Sequence, residues 1–258
     1  MCSMAKANDF PASLKHFSKL LNGFYGYHDY DVFYDFIDFS VACLLWKGDP
    51  HTADRLKKKY GNKFHLLGEM YIAMIHTMND NIHTDQCWFD VPGTLYESFA
   101  MKSKSSALGQ FFTPALVCDM IAKIQGADAP VGKLVNDPAA GSSRMLLAFN
   151  SVAPGNILIA QDIDQICTKM SAINLCLHGC KGQSVNGDAL QPDNFNFGFS
   201  INPFQNQIGP IPHMIPISQD QSIAFKIWQK HLISASDEMP KVSIPSQKTP
   251  SQLSLFDA

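Results

Sequence analysis

Short apolar runs alternate with segments of helical periodicity between residues 134 and 201. In chain order the pieces are KLVN, SRMLLAFN, NILIAQ, CTKMSAINLCLHG, QSVNGDAL and FGFSI. The runs rich in β-formers have strand character, and helical segments separate the first three of them. This β-α-β-α-β-β order predicts an α/β fold with a doubly wound sheet, whose ligands bind beyond the carboxyl ends of the strands.

The first strand leads into a turn that suits the close approach of a ligand. Its sequence is DPAAGSS, residues 137–143. Gly141 permits a tight backbone, and the helix that follows offers the free amides of its first turn. The turn lacks the G-x-G-x-x-G pattern of dinucleotide loops and the Gly-Lys-Ser/Thr of a P-loop. Hydride transfer and nucleoside triphosphate hydrolysis are therefore disfavoured.

Acidic residues follow the next two strands. Asp162, in AQDID, is placed where a carboxylate can accept hydrogen bonds from two ribose hydroxyls. Asp188, in NGDAL, is placed where it can accept a hydrogen bond from an exocyclic adenine amine. Each residue alone also suits a helix N-cap or a turn. Three such strand ends at the spacing of consecutive β-α units favour one shared ligand site over three independent caps.

The N-terminal half of the chain is predicted to be helical. From Phe10 to about Asn81, apolar residues recur at three- and four-residue spacing, and glycine-containing breaks divide this stretch into three or four helices. Its aromatic residues favour core packing over base stacking. Further helices are predicted over residues 94–101 and about 221–234.

Composition narrows the function classes. The net charge of -3 argues against a protein that coats nucleic acid by bulk electrostatics. The longest strongly apolar run, residues 41–46, is far shorter than the ~20 residues of a membrane span, so we expect a soluble cytoplasmic protein. The 7 cysteines include no C-x-x-C pair, which fits a reducing compartment. Buried thiols are favoured over a metal site formed by Cys176, His178 and Cys180.

The segments DPAAGSS, AQDID, NGDAL and NPF, in this order, resemble the cofactor and catalytic motifs of the adenine-N6 DNA methyltransferases. GQFFTP (residues 109–114) and DVPGTLYE (residues 90–97) are similar to segments of the modification subunits of type I restriction systems. The resemblance covers roughly residues 85–205. It implies a Rossmann-like S-adenosylmethionine-dependent methyltransferase sheet with an N-terminal helical domain. The implied domains are 1–105, helical; 106–239, α/β and shortened; and 240–258, a flexible tail.

The resemblance also implies the residues of a cofactor site. One segment flanks the methionine moiety, the glycine turn holds its carboxylate and amine, one aspartate binds the ribose and another contacts the adenine ring. The implied S-adenosylmethionine-binding residues are Phe111, Phe112, Thr113, Pro114, Asp137, Pro138, Ala139, Gly141, Ser142, Asp162, Ile163, Asp188 and Ala189. No metal is required by this chemistry.

The implied catalytic residues are Asn202, Pro203 and Phe204. In the family, an (Asn/Asp/Ser)-Pro-Pro-(Tyr/Phe) segment accepts the two N6 hydrogens of a flipped adenine and stacks on its ring. Here the segment is one proline short. If Asn202 keeps the catalytic place, the chain is an active methyltransferase. If Pro203 and Phe204 keep theirs, the polar position falls on Ile201 and activity is lost or impaired.

These alternatives leave two main functions. The first is a DNA adenine-N6 methyltransferase of the restriction-modification type; the second is a catalytically impaired subunit that binds cofactor, DNA or partners. An unrelated α/β nucleotide-binding enzyme is disfavoured because it does not explain GQFFTP ahead of the first strand. Expected partners are DNA and a specificity or second methylase subunit. The tail residues Gln252, Leu253, Ser254, Leu255 and Phe256 are similar to peptides that bind the replicative sliding clamp, and they equally suit a last strand or helix of the chain's own domain.

Overall fold

The computed structural model describes residues 10–83, 87–100, 112–126, 128–191 and 193–238. In this part of the chain a helical N-terminal half packs against a mixed sheet and its helices. The helices are α1 (Lys15–Asn22), α2 (Asp29–Leu44), α3 (Pro50–Tyr60), α4 (His65–Asn81), α5 (Val91–Ala100), α6 (Ala115–Gly126), α7 (Arg144–Val152), α8 (Gln165–Leu177), α9 (Gln205–Ile208) and α10 (Ile223–Glu238). The helical reading of the N-terminal half is confirmed.

Local signals in the sequence set the ends of these helices. In α3, Asp49 is the N-cap and accepts a hydrogen bond from the Thr52 N–H (3.1 Å), and Pro50 occupies the first turn. Three lysines in its last turn complement the helix dipole. Helix α5 begins at Val91, before the predicted Thr94, because the carboxylate of Asp90 accepts the Gly93 N–H (2.7 Å) as a cap.

Aromatic packing fills the core of the helical half. Phe17, Phe33 and Phe36 are fully buried. Phe33 packs against the rings of Tyr96 and Phe99 on α5, at centroid distances of 6.1 and 5.2 Å. The expectation that the aromatic stripe is core is confirmed for Phe33 and Phe36, whereas Tyr25 is 64% exposed. The ring of Phe33 meets those of Tyr96 and Phe99 in tilted pairs.

The sheet has the strands β1 (Leu134–Asp137), β2 (Ile157–Asp162), β3 (Lys181–Gly187), β4 (Phe195–Ile201) and β5 (Met214–Ile217). Their order is β1-β2-β3-β4-β5, with β1, β2 and β3 parallel. Strand β2 is buried on both faces, as its continuous apolar run requires. The predicted α/β class and the first three strands are confirmed.

The predicted doubly wound arrangement is wrong for this sheet. Strand order follows chain order with no reversal, β4 runs antiparallel to β3, and β5 runs antiparallel to β4. The physical reason is the connection between β3 and β4, residues 188–194. A parallel crossover needs roughly a dozen residues or more, so this short connection returns the chain as a hairpin. Strand β5 was not predicted.

The two halves of the described chain share one hydrophobic cluster. Leu44 and Phe36 of α2 belong to it together with Met170 and Ile173 of α8. Lys169 of α8 also donates to the Asp38 carboxylate on α2 (2.7 Å). The described helices include none that is both long and apolar enough to cross a membrane.

Candidate cofactor and catalytic site

The turn after β1 is the centre of the candidate site. Gly141 has φ +55, a conformation that glycine adopts at little cost. A Cβ at this position would meet the ring of Phe112 at 2.7 Å. Glycine is therefore required both by the backbone and by the aromatic ring that lies against it. Phe112 and the glycine turn are therefore in contact although they lie apart in sequence.

Asp162, at the end of β2, holds this turn in place. Its Oδ2 accepts the Gly141 N–H (2.8 Å), and its Oδ1 accepts the Asp164 N–H (2.9 Å). Asp164 in turn caps α8 by accepting the Ile166 N–H (2.9 Å). Burial raises the pKa of Asp162 above its usual range. Each carboxylate oxygen retains lone pairs, so Asp162 can still accept hydrogen bonds from a ligand.

A cavity of about 480 Å³ opens beside the turn, within the range of small-molecule sites. Seven of the predicted cofactor residues line this cavity, together with apolar side chains of α6 and α7. The lining is Phe112, Thr113, Ile121, Gln125, Val135, Asn136, Asp137, Pro138, Ala139, Ala140, Gly141, Ser142, Arg144, Met145, Leu146 and Phe149. Burial raises the pKa of Asp137, whose Oδ1 accepts the Ala139 N–H (3.1 Å).

The other predicted cofactor residues do not line this cavity, and one of them lies outside the described chain. Asp162 pairs with Asn186 across β2 and β3, so Asp188 and Ala189 follow at the same edge of the sheet. Asp188 accepts the Leu190 N–H (2.9 Å) in an Asx turn. Ile163 is 69% exposed, Pro114 precedes α6 at the surface, and Phe111 lies outside the described residues.

A buried ionic cluster supports the glycine turn from behind. Asp90 is 2% exposed, and its Oδ2 accepts hydrogen bonds from Ser142 Oγ (2.5 Å) and Arg144 Nε (2.7 Å). Its Oδ1 accepts from Asn174 Nδ2 (2.7 Å) as well as from Gly93. A Cβ on Gly93 would collide with this carboxylate, so only glycine fits there. Asp90 therefore ties the start of α5 to the glycine turn and to α8.

Arg144, the first residue of α7, completes this cluster. It is 9% exposed, and it donates to Asp90 and, through both terminal nitrogens, to Glu97 (3.1 and 2.8 Å). Burial opposes its charge, but the two carboxylates raise the pKa of Arg144 above its usual value. Its guanidinium carbon also lies 5.3 Å from the centre of the Phe112 ring. The sequence singled out DVPGTLYE only as a resemblance and did not predict this ion pair.

The predicted catalytic residues lie at the opposite edge of the sheet. Because β4 is antiparallel, Ile201 pairs with Gly182 near the start of β3, whereas Asp162 pairs with Asn186 near its end. Gly182 and Asn186 are four residues apart, so at ~3.3 Å per residue Ile201 lies about 13 Å from Asp162 along the strand direction. The structure does not bring Asn202, Pro203 and Phe204 together with the glycine turn.

The side chain of Asn202 is fully engaged in the protein. It is 1% exposed, and its Nδ2 donates to the carbonyls of Cys176 (3.0 Å) and Cys180 (2.8 Å). Its Oδ1 accepts the His213 N–H (2.9 Å). Its φ of +49 lies in the left-handed region, where asparagine is tolerated. Asn202 thus joins the end of α8, the start of β3 and the start of β5.

Phe204 packs in an aromatic group that sequence reasoning did not predict. Its ring stacks on His213 at a centroid distance of 5.4 Å, and Trp46 lies edge-on to both rings at 5.6 and 5.2 Å. The backbone N–H of Trp46 also donates to the backbone carbonyl of Met214 (2.9 Å). Phe204 and Trp46 therefore join the helical half to β5.

Cys176, His178 and Cys180 do not form a metal site in the described structure. No group of three or more potential ligands able to hold a metal ion occurs among the described residues. Cys176 and Cys180 are buried, and burial raises the pKa of each thiol to about 12. His178 is the C-cap of α8.

His178 is expected to make stability depend on pH. Its Nε2 accepts the Phe89 N–H (3.2 Å) and its Nδ1 faces the Asn174 carbonyl (2.7 Å), so these partners favour the neutral ring with the proton on Nδ1. Burial lowers the pKa of His178. As the pH falls below the unfolded-state pKa of about 6.5, the unfolded chain binds a proton that the folded chain excludes. The free energy of unfolding should then fall by up to about 1.4 kcal/mol per pH unit.

Urea unfolding between about pH 7.5 and 5.5 tests this. The variant His178→Asn should lose that part of the pH dependence, whereas His65→Asn, at an exposed histidine, should retain it. Equal slopes for the wild type and His178→Asn would show that His178 is not the responsible group.

Residues 89–215 match the family model described as N-6 DNA Methylase. This part of the chain belongs to the N-6 DNA methylase family. The matched stretch begins one residue before Asp90 and includes the glycine turn, the buried ionic cluster and Asn202. Comparison with curated proteins and with solved structures finds no significant match to either.

Proposed function

We propose that the protein binds S-adenosylmethionine at the carboxyl edge of β1, β2 and β3 and takes part in N6 methylation of adenine in DNA. The N-6 DNA methylase family generally uses this cofactor, which supplies an electrophilic methyl group on a sulfonium ion. The observation that carries the proposal is the glycine turn itself, held by Asp162 and faced by Phe112 beside a cavity.

The chemistry of the cavity suits this cofactor. A sulfonium and an ammonium group are both cations, and Asp137 and Asp162 place two carboxylates at or beside the cavity. Phe112 offers an aromatic face, which attracts cations, and Met145 and Phe149 give apolar walls. Each carboxylate oxygen of Asp162 accepts one backbone N–H and keeps a lone pair that a ribose hydroxyl could use.

We assign the parts of the cofactor to the ends of β1, β2 and β3 in turn. The methionine moiety contacts the GQFFTP segment and the glycine turn, the ribose contacts Asp162, and the adenine ring contacts the end of β3. The proposed contacts are Phe111, Phe112, Thr113, Pro114, Asp137, Pro138, Ala139, Gly141, Ser142, Asp162, Ile163, Asp188 and Ala189. The site would sit in a Rossmann-like methyltransferase domain over residues 106–239, after a helical domain over residues 1–105.

Two functions remain within this proposal, and the geometry of Asn202 favours one of them. A catalytic asparagine must direct its side-chain oxygen at the N6 hydrogens of a flipped base. In this chain that oxygen accepts the His213 N–H instead, and the residue is buried. This supports a subunit that binds cofactor and does not methylate DNA by itself. Family membership supports the second candidate, a self-sufficient methyltransferase with Asn202, Pro203 and Phe204 as catalytic residues.

Calorimetric titration with S-adenosylmethionine, followed by tritiated methyl transfer to mixed-sequence DNA, tests both candidates. We expect binding without transfer by the isolated chain. Transfer by the isolated chain would instead support the self-sufficient enzyme. The absence of any binding would overturn the cofactor proposal as a whole.

Asp162→Asn is expected to weaken S-adenosylmethionine binding about 10- to 100-fold. Hydrogen bonds to a charged group contribute roughly 1.5–3 kcal/mol, and each 1.4 kcal/mol is tenfold in affinity. The matched control is Asp54→Asn, which makes the same change at an exposed carboxylate far along the chain. Since Asp162 also holds Gly141, the unfolding midpoint of the variant should be measured beside its dissociation constant. An unchanged dissociation constant in a folded variant would refute the ribose assignment.

We also propose partners for this activity. DNA is the expected substrate, and a specificity or second methylase subunit would supply target recognition and the missing acceptor for the base. Residues 252–256 carry the similarity to sliding-clamp peptides, and they lie outside the described residues. A restriction-modification role in the cytoplasm would fit this set of partners.

A further inference from the structure

Positive charge is concentrated at the end of helix α3. Five of the chain's 20 lysines and arginines fall within residues 55–63, and this stretch contains no aspartate or glutamate. The net charge of the whole chain is -3, so the remaining residues are acidic overall. A chain of this kind can hold a polyanion only through a local basic patch, because its overall charge opposes the contact.

Two of the five cations are neutralised inside the helical half. Arg55 donates to Asp35 (2.8 Å) and Asp38 (2.7 Å), and Lys59 donates to Asp35 (2.5 Å). The other three pair with no carboxylate in the part of the chain that the structure describes; they are Lys57, Lys58 and Lys63. Their charges are available to an external anion.

An exposed tyrosine lies against one of these lysines. Tyr25 is 64% exposed, and the Lys63 ammonium lies 3.1 Å from the centre of its ring. The same ammonium donates to the Tyr25 carbonyl (2.6 Å), so the ring and the carbonyl together fix its position. Lysines beside an exposed aromatic ring are a combination with which proteins hold nucleic-acid strands.

The loop that carries Tyr25 is fixed to the end of α3. The Tyr27 hydroxyl donates to the Lys59 carbonyl (2.6 Å), and the Tyr27 ring packs on Tyr60 at a centroid distance of 4.8 Å. The Lys57 ammonium lies 5.8 Å from the centre of the Phe64 ring. These contacts hold the loop and the lysines in one place. We call this surface the basic corner; its residues are Tyr25, Lys57, Lys58 and Lys63.

The basic corner lies beside the start of α2. Tyr27, which bonds to Lys59 at the end of α3, comes two residues before α2 begins. Arg55, one turn earlier in α3, reaches Asp38 in the middle of α2. Helices α2 and α3 are therefore antiparallel, and the end of α3 meets the beginning of α2.

The start of α2 in turn lies beside the start of α8. Lys169 pairs with Asp38 (2.7 Å), and near the start of α2 burial and the Asp164 carboxylate raise the pKa of Tyr34. Helix α8 follows Asp162 at the end of β2. The basic corner and the glycine turn therefore lie toward the same end of the molecule.

We propose that the basic corner binds the phosphodiester backbone of DNA, with Lys57, Lys58 and Lys63 each neutralising one phosphate. This rests on the proposed function, in which DNA is the substrate, and the chain's membership of a DNA methylase family favours DNA over other polyanions. Phosphate contacts position a duplex without reading its sequence. The basic corner thus supplies affinity at the cofactor end of the molecule and leaves target recognition to other elements.

Fluorescence anisotropy of the full chain with a labelled mixed-sequence duplex, repeated over a series of salt concentrations, tests the proposal. The variant replaces the three lysines together, as Lys57→Gln, Lys58→Gln and Lys63→Gln. Each phosphate contact contributes about 0.9 to the slope of log affinity against log salt, so the variant's slope should be smaller by about 2–3. We expect its affinity to fall roughly tenfold or more at low salt.

The matched control makes the same change in charge on the α/β half. It replaces three exposed lysines by glutamine, namely Lys133, Lys226 and Lys230. This control should keep the affinity and the salt slope of the wild type. Equal losses in the two triple variants would show that total charge, and not the basic corner, governs binding, and would overturn the proposal.

Three further outcomes would overturn it. A basic-corner variant with wild-type affinity and slope would place the DNA contacts elsewhere and leave the proposed function standing. Displacement of the duplex by poly-glutamate at equal charge concentration would assign the basic corner to acidic polypeptides. A wild-type chain with no affinity for the duplex would remove the basic corner as a DNA site, and calorimetry with S-adenosylmethionine would then decide the cofactor proposal separately.

Discussion

Replacing Asp90 with Asn is expected to lower the free energy of unfolding by about 3–5 kcal/mol, because breaking a buried ion pair leaves an uncompensated charge. Arg144 is 9% exposed and would keep one carboxylate partner, Glu97, whose side chain is partly exposed. The change also replaces a carboxylate that accepts hydrogen bonds from Ser142 and Asn174 by an amide with fewer acceptor sites. Since Ser142 belongs to the glycine turn of the proposed cofactor site, weaker S-adenosylmethionine binding should accompany the loss of stability.

Urea unfolding of four single variants, Asp90→Asn, Asp54→Asn, Glu97→Gln and Arg144→Met, and of one double variant tests this expectation. Asp54→Asn, the same change at an exposed carboxylate, should shift stability by no more than about 0.5 kcal/mol. Glu97→Gln should fall between the two, because its carboxylate is partly solvated. Adding Arg144→Met to Asp90→Asn should cost less than the sum of the single changes, as expected for directly coupled groups. Additive costs would show that Asp90 and Arg144 do not stabilise each other.

The parts of the fold that depend on local pattern could be predicted from the sequence. The first three strands and their helices follow from apolar periodicity, and each strand ends in the polar residues that the turn needs. Parallel pairing then places Asp137, Asp162 and Asp188 at one edge without further information. The contact between Phe112 and Gly141 was expected from the resemblance alone.

The antiparallel direction of β4 could also have been predicted from the sequence. Residues 188–194 are too few for a parallel crossover, so the hairpin follows from connection length. The resemblance instead favoured a β4 whose end lies beside the cofactor, because the fourth motif of that family joins the cofactor site. The placement of Asn202 depends on this single choice of direction, because reversing a strand moves its end to the other edge of the sheet.

Contacts between distant segments could not be predicted. Arg144 Nε and Asp90 Oδ2 lie 2.7 Å apart but come from residues 54 positions apart in sequence. Trp46 and Phe204 are farther apart still, and their contact depends on how α2 meets β5. Aromatic and charged residues of this kind also suit a solvated surface or a different core, so no local pattern selects their partners.

Replacing Asn202 with Ala should lower the free energy of unfolding by about 3–4 kcal/mol. Three hydrogen bonds that each contribute about 1 kcal/mol are lost, and the groups left behind on Cys176, Cys180 and His213 are buried. A φ of +49 costs alanine roughly 1 kcal/mol more than glycine. Asn202→Gly should therefore be about 1 kcal/mol more stable than Asn202→Ala while losing the same side-chain bonds. Thermal or urea unfolding of the two variants separates the backbone contribution from the side-chain contribution.

The same variants discriminate between a structural and a catalytic Asn202. Because Asn202 follows Ile201, which lies about 13 Å from Asp162 along the strands, both variants should retain S-adenosylmethionine binding when measured below their unfolding transitions. A structural asparagine predicts a large loss of stability and no methyl transfer by the isolated chain to begin with. A catalytic asparagine predicts the reverse: measurable transfer by the wild type that Asn202→Gly abolishes with little change in stability. That second result would require β4 to pair differently during catalysis, since the strand end must then reach the cofactor edge.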